Sequence, residues 1–157
     1  YEISACLVGS EMCIRDRLTS NVLDRLTSNV YSFVAINIAN PDMVAHTGNI
    51  QAAIKACQAT DECVGKIVSL TLSLGGACII TADHGNVEEM IGPNGEMDTE
   101  HSVFPVPCII VDKQYENRST HLPVGKLADI APTILSMLGI PLPKQMTGKN
   151  LVADITG

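Results

Sequence analysis

The sequence predicts an α/β fold built as a single domain. A short β-rich run at residues 31–38 is followed by a long stretch, about 49–73, in which apolar residues recur with a period near 3.6. A second apolar run follows at residues 77–81. Strand, helix and strand in this order favour a right-handed parallel crossover. With 157 residues, 46% of them hydrophobic, the chain is long enough to bury one core.

A perfect repeat sets the first residues apart from the rest. The seven letters from Asp16 to Val22 recur from Asp24 to Val30, and a single repeat does not make a solenoid. The preceding residues 6–17 resemble the adapter read-through found in translated transcript assemblies. We therefore expect residues 1–25 to be a non-native leader and assign residues 26–157 to the domain.

Local signals mark the ends of the elements. The run at 31–38 ends at an Asn-Pro pair, as a buried strand would. The helix at 49–73 stops at Gly75-Gly76. Residues 108–111 predict a third strand, because the two prolines just before them suit a strand entry or a sheet edge. Residues 128–138 predict a last helix that stops at Gly139.

Charge and composition exclude several classes of partner. The net charge of −7 and a pI near 4.9 argue against electrostatic binding to nucleic acid or to an anionic membrane. No apolar run approaches the roughly 18 residues that span a bilayer, and no secretory signal is evident. The six cysteines form no C-x-x-C pair, which favours free thiols in a reducing compartment. We expect a cytoplasmic monomer.

Three of the four histidines lie in short segments that also carry carboxylates. Asp42 and His46 are four residues apart, so a helix or a tight turn would put both on one face, where they could share an ion. Asp83 and His84 are adjacent and would tend to diverge, which is easier to reconcile with two ions than with one. His101 follows Glu100 before the third strand. Imidazole and carboxylate together suit Mn²⁺ or Zn²⁺ better than Mg²⁺ or Ca²⁺.

Each segment also has an ordinary structural explanation. Asp42 could be a turn or cap carboxylate, and His46 a surface or cap histidine. The residues from Asp83 onwards could be a strand-to-helix turn in which Asp or Asn caps the segment 87–89. His121, in a polar stretch, is expected at the surface. The joint occurrence of five potential ligands at predicted strand ends favours a metal site.

Three motifs in the chain carry the candidate ligands: residues 40–48 (NPDMVAHTG), 81–86 (TADHGN) and 101–107 (HSVFPVP). They resemble those of one family, the 2,3-bisphosphoglycerate-independent phosphoglycerate mutases of the alkaline phosphatase superfamily, and the resemblance covers about residues 31 to 152. It implies a parallel-sheet sandwich of the alkaline phosphatase-like type, present here as a partial domain.

The resemblance also implies a ligand assignment. Asp42, His46 and His101 would bind one Mn²⁺, and Asp83 with His84 would bind a second, with Zn²⁺ or Co²⁺ as possible substitutes and no 2,3-bisphosphoglycerate. The family interconverts 3-phosphoglycerate and 2-phosphoglycerate, the small-molecule substrates of this glycolytic isomerase, through a phosphoserine. The nucleophilic serine and the phosphate-binding arginines are expected in a preceding segment, so that no catalytic residue lies in this chain and Arg118 cannot replace the arginines.

Two other functions remain open on the sequence. One is a phosphatase or phosphopentomutase of the same superfamily, against which the motif at residues 40–48 and the long helix after it argue. The other is a non-catalytic metal-binding or interaction module, which the missing nucleophile would allow.

Overall fold

The computed structural model describes residues 8–117 and 121–153, with side chains from residue 16 onward. The chain divides into two compact units, with the boundary between Gln114 and Tyr115. The first holds helices α1 (Val8–Thr27), α2 (Asn40–Ala45) and α3 (Ile50–Ser73) and strands β1 (Cys78–Thr81) and β2 (Cys108–Val111). The second holds α4 (Ile130–Met137). Residues 1–7 of the expected leader, with Cys6, and Arg118 lie outside the described residues.

The repeated heptapeptide adopts two conformations. Its first copy is helical throughout, whereas its second copy leaves α1 after Thr27 and turns at Asn29, whose φ is +53°. Val22 of the first copy is buried, and its counterpart Val30 is 74% exposed. Because the letters are identical, packing and chain context decide the conformation here. That residues 1–25 are a non-native leader stays a prediction.

The long helix is confirmed, and its ends follow from local chemistry. At the start of α3 the Asn49 side chain accepts a hydrogen bond from the Ala52 N–H at 3.0 Å. At the end, Gly75 has a φ of +80° and its N–H donates to Leu72 O, while the Gly76 N–H donates to Thr71 O. These two bonds form a Schellman motif, which needs a left-handed residue at the position of Gly75.

A small core lies between α2 and α3. Val44, Ala45, Ala53 and Met90 are buried together, and Ala45 is 0% exposed. Since Asp42 lies on the same short helix as Val44 and Ala45, and His46 caps the end of that helix, this core fixes the backbone that carries both side chains.

The strands differ from the prediction. β1 and β2 lie where expected but pair antiparallel, with Cys78 opposite Val111 and Thr81 opposite Cys108. Residues 31–38 form no strand, so the expectations of a strand there and of a parallel crossover are wrong for the described residues. A strand requires a hydrogen-bonded neighbour, and in the part of the chain that the structure describes this run has none. Its two-residue period persists, because Val34, Ile36 and Ile38 are half-buried while the residues between them are exposed.

The second unit is organised by the residues at the start of α4. The buried Asp129 carboxylate accepts the backbone N–H of Lys126 at 2.9 Å and that of Lys149 at 2.8 Å. Thr133, also buried, accepts the Leu151 N–H through its hydroxyl at 2.9 Å. The C-terminal segment is thereby held against α4, which ends before Gly139 as predicted.

Among the helices that the structure describes, none combines the length and apolar character needed to cross a bilayer.

Candidate metal centre

Asp42 and His46 are held on one side of α2. They lie one helical turn apart, and Asp42 Oδ1 is 3.4 Å from His46 Nε2. Both side chains are partly open to solvent, with 34% and 40% of their surface exposed. The two side chains lie on one face, as their spacing predicted, and a cation can reach them from solvent.

His101 joins this pair from a distant part of the chain. The Ser102 N–H donates to Gly85 O at 2.8 Å, which ties the His101 loop to the loop after β1. His101 Nε2 then lies 3.1 Å from His46 Nε2 and 3.5 Å from Asp42 Oδ1. In the described residues, the only group of three or more His, Cys, Asp or Glu side chains able to hold an ion is Asp42, His46 and His101.

The geometry of this triad fits a transition-metal cation. With bonds of about 2.0–2.2 Å to nitrogen and oxygen, neighbouring ligand atoms of one ion lie about 3.0–3.5 Å apart, depending on the coordination geometry. The three separations, 3.1, 3.4 and 3.5 Å, fall in that range. Two imidazoles and a carboxylate are also a donor set that suits divalent transition metals.

Neighbouring groups orient the ligands. His46 Nδ1 lies 2.6 Å from Thr99 O, and a carbonyl oxygen only accepts, so Nδ1 carries the proton and donates. In the neutral ring Nε2 is then left with its lone pair toward the triad. Gly48 follows with a φ of +70°, and a Cβ there would lie 3.0 Å from Met97 Cγ, so this turn packs closely against the segment before Thr99.

Gly85, in the loop after β1, leaves space for the side chains that join this loop to the His101 loop. A Cβ at this position would overlap Glu88 Oε1 and Ser102 Oγ. These groups are bonded to each other, since Ser102 Oγ donates to Glu88 Oε1 at 3.3 Å, and Glu88 Oε2 accepts the Asn86 N–H at 3.1 Å. The absence of a side chain at residue 85 therefore lets Glu88 link the two loops of the site.

Asp83 and His84 lie beside the triad but outside it. The His84 ring stacks on the His101 ring, with centroids 3.8 Å apart and planes at 20°. His84 Nε2 is 3.7 Å from Asp83 Oδ1, and the Asp83 side chain is 82% exposed. The structure therefore brings three of the five predicted ligands into one cluster and leaves the adjacent pair next to it.

Other candidates are not part of the cluster. His121 is exposed, as expected. The four cysteines whose side chains are described are free thiols, as predicted. Burial raises the pKa of the Cys57 thiol, and the nearby Glu88 carboxylate raises it further. Burial likewise raises the pKa of Cys108, so both remain protonated thiols, which are poor metal ligands.

Three groups near the triad were missed by sequence reasoning. Thr99 contributes only a backbone carbonyl, for which no sequence signal exists. Asn86 was considered as a helix cap, yet its side chain caps nothing and donates to Asp42 instead. Glu88, which the sequence did not single out, is exposed and also bonds both loops.

Comparison with known proteins places this site in a family. The family model described as the Metalloenzyme superfamily matches residues 8–142. The chain belongs to the Metalloenzyme superfamily. Its alkaline phosphatase-like α/β fold, present as a partial domain, is thereby confirmed, although the strand pair described here is antiparallel.

Several phosphoglycerate mutases are similar to the chain in sequence. The chain is 51% identical over 131 residues to a 2,3-bisphosphoglycerate-independent phosphoglycerate mutase of Prochlorococcus marinus, covering 80% of this chain and 24% of that protein. It is 50% identical over 137 residues to the protein of the same name from Clostridioides difficile, covering 87% and 27%. The chain thus spans about a quarter of the length of the curated relatives it matches.

A solved structure agrees with these relatives. Phosphoglycerate mutase of Leishmania mexicana, determined at low cobalt concentration, superposes with a TM-score of 0.75 at 32% identity, covering 87% of this chain and 28% of that one. The fold assignment therefore has structural as well as sequence support.

Proposed function

We propose that this chain carries the metal-binding part of a 2,3-bisphosphoglycerate-independent phosphoglycerate mutase, an isomerase that moves a phosphoryl group between the 3- and 2-hydroxyls of glycerate. The main support for the proposal is that Asp42, His46 and His101 form one cluster although they lie up to 59 residues apart in sequence. Their ligand atoms are separated by distances typical of ligands to one ion. Relatives that bear the mutase name at about half identity support it.

The proposal assigns two cations to the whole enzyme. Asp42, His46 and His101 would hold one Mn²⁺, and Asp83 with His84 would contribute to a second site, incomplete in this chain. Zn²⁺ or Co²⁺ would suit the same donor set. The Asp83 carboxylate is exposed and the His84 ring stacks on His101, and the remaining ligands of this second site would come from other parts of the enzyme.

Each residue has a part in this chemistry. Bound cations supply Lewis-acid stabilisation of the charge on a transferring phosphoryl group. Asp42 offsets the positive charge and His46 presents Nε2, while Thr99 O holds the His46 ring in place. His101 is held by the Gly85–Ser102 contact and by stacking on His84. The phosphoserine of the reaction would be formed on a serine outside this chain, so we propose that the chain alone has no mutase activity.

The remaining assignments follow from the same proposal. The enzyme would act in glycolysis in the cytoplasm, as a monomer that binds phosphoglycerates and neither nucleic acid nor membranes. It would not require 2,3-bisphosphoglycerate.

Calorimetric titration of the purified chain with Mn²⁺ tests the metal site. We expect binding that His46→Ala weakens strongly, because one of three ligands is lost, and that His121→Ala, a matched change at an exposed histidine, leaves unaltered. No binding, or equal binding by His46→Ala, would refute the assignment. Conversion of 3- to 2-phosphoglycerate by the chain above a metal-free blank would refute its inactivity.

A further inference from the structure

The side-chain amide of Asn86 contacts the ligand oxygen of the triad. Asn86 is 5% exposed, and its Nδ2 donates to Asp42 Oδ1 at 2.7 Å across 44 residues of sequence. That same oxygen lies 3.4 and 3.5 Å from the Nε2 atoms of His46 and His101. Asn86 therefore holds the carboxylate oxygen that faces both imidazoles.

The partner of Asn86 explains its orientation. An ionised carboxylate only accepts hydrogen bonds, so the amide NH₂ must point toward Asp42. Asn86 Oδ1 is buried without a hydrogen-bond partner in the described structure, so it does not fix the amide. Nor does the side chain cap the turn at Val87–Glu89 that follows it. The bond to Asp42 is therefore the hydrogen bond that orients the Asn86 side chain.

The backbone of Asn86 is anchored independently of Asp42. Its N–H donates to Glu88 Oε2, and Gly85 accepts the Ser102 N–H. The amide is thus presented from a loop that is already tied to the loop of His101. Because the backbone of Asn86 is held in place, its hydrogen bond restricts rotation of the Asp42 carboxylate.

We propose that Asn86 is a positioning residue of the metal centre, which keeps Asp42 Oδ1 turned toward His46 and His101. The inference rests on the proposed metal function of the triad. Loss of an outer-shell partner of this kind typically lowers metal affinity by about 10–100-fold.

The test compares Mn²⁺ affinity by calorimetry for the wild-type chain and for Asn86→Ala and Asn86→Leu. Leu has nearly the shape of Asn without its donor, so it separates hydrogen bonding from packing. Asn150→Ala is the matched control, because it removes an amide that bonds Ser136 in the other unit. We expect both Asn86 variants to bind about 10–100-fold more weakly and the control to bind as the wild type does. The visible absorption of bound Co²⁺ should change in the Asn86 variants alone, because it reports the ligand geometry.

The outcomes separate the two proposals. Wild-type affinity in Asn86→Leu, or an unchanged Co²⁺ spectrum, would overturn the role of Asn86 while leaving the metal site intact. Failure of the wild-type chain to bind either cation would overturn the metal site and the inference with it. A variant that lacks a cooperative thermal transition is replaced by Asn86→Ser, whose shorter side chain withdraws the donor from Asp42, and the same criteria apply to it.

Discussion

Substitution of Gly85 by Ala should damage the site through one methyl group. The new Cβ would overlap Glu88 Oε1 and Ser102 Oγ and lie 3.2 Å from Phe104 Cβ. Glu88 has to move, which breaks its bonds to the Asn86 N–H and to Ser102 Oγ. Two hydrogen bonds at about 0.5–1.5 kcal/mol each give a loss of about 1–3 kcal/mol in the free energy of unfolding. Mn²⁺ affinity should fall with it, because the loops carrying Asn86 and His101 lose the Ser102–Glu88 bond, which is one of the bonds between them.

Gly65→Ala provides a control of opposite sign. Gly65 lies inside α3, and apart from the backbone of the helix itself no atom of the described structure would lie within 4 Å of a Cβ at this position, so Ala should raise the free energy of unfolding by up to about 1 kcal/mol. Thermal unfolding followed by circular dichroism measures both variants, at about 2–4 °C per kcal/mol for a chain of this size. Equal midpoints for Gly85→Ala and the wild type, with unchanged Mn²⁺ affinity, would refute the reasoning.

Three further predictions concern the caps, the pH and the cation. Asn49→Ala removes the cap of α3 and should cost about 1 kcal/mol in urea denaturation, whereas an unchanged midpoint would mean that the cap contributes nothing. Hydrogen bonds from the backbone N–H of Lys149, the larger effect, and of Lys126 lower the pKa of Asp129. The ionised carboxylate therefore stabilises the fold above the unfolded-state pKa of about 3.9, and this stabilisation is lost as the pH falls through the lower folded-state pKa. Thermal unfolding below about pH 4 should therefore show a fall in the midpoint that is smaller in Asp129→Asn than in the wild type. Identical pH profiles for the two proteins would contradict this role of Asp129. Mn²⁺ at about 100-fold above its Kd should stabilise the chain by about 2.7 kcal/mol, and a chelator should reverse this; a midpoint insensitive to both would argue against the site.

Helix ends could be predicted from the sequence because their signals are local. Asn49 bonds to a backbone N–H three residues away, and Gly75 and Gly139 adopt the left-handed conformation that ends their helices. The same holds for Asp42 and His46, whose spacing of four residues brings both to one side of a short helix.

Contacts between distant segments could not be predicted in this way. The run at residues 31–38 has the period of a strand, but a strand also needs a partner, which its own sequence does not supply. The place of His101 beside His46 was expected from the family resemblance rather than from spacing. The roles of Asn86 and Glu88 depend on bonds across the folded site, so the sequence suggested only a cap at Asn86 and no role in the site for Glu88.

The separation of His46 and His101 along the chain has a further consequence. They are 55 residues apart, so an unfolded chain that bound one cation through both would have to close a loop of that length, at an entropic cost of about 3.5 kcal/mol. The fold has closed this loop before any ion arrives. From loop closure alone, a cation at this site would bind the folded chain several hundred-fold more tightly than the unfolded chain. Its binding would therefore report on folding as directly as a spectroscopic probe.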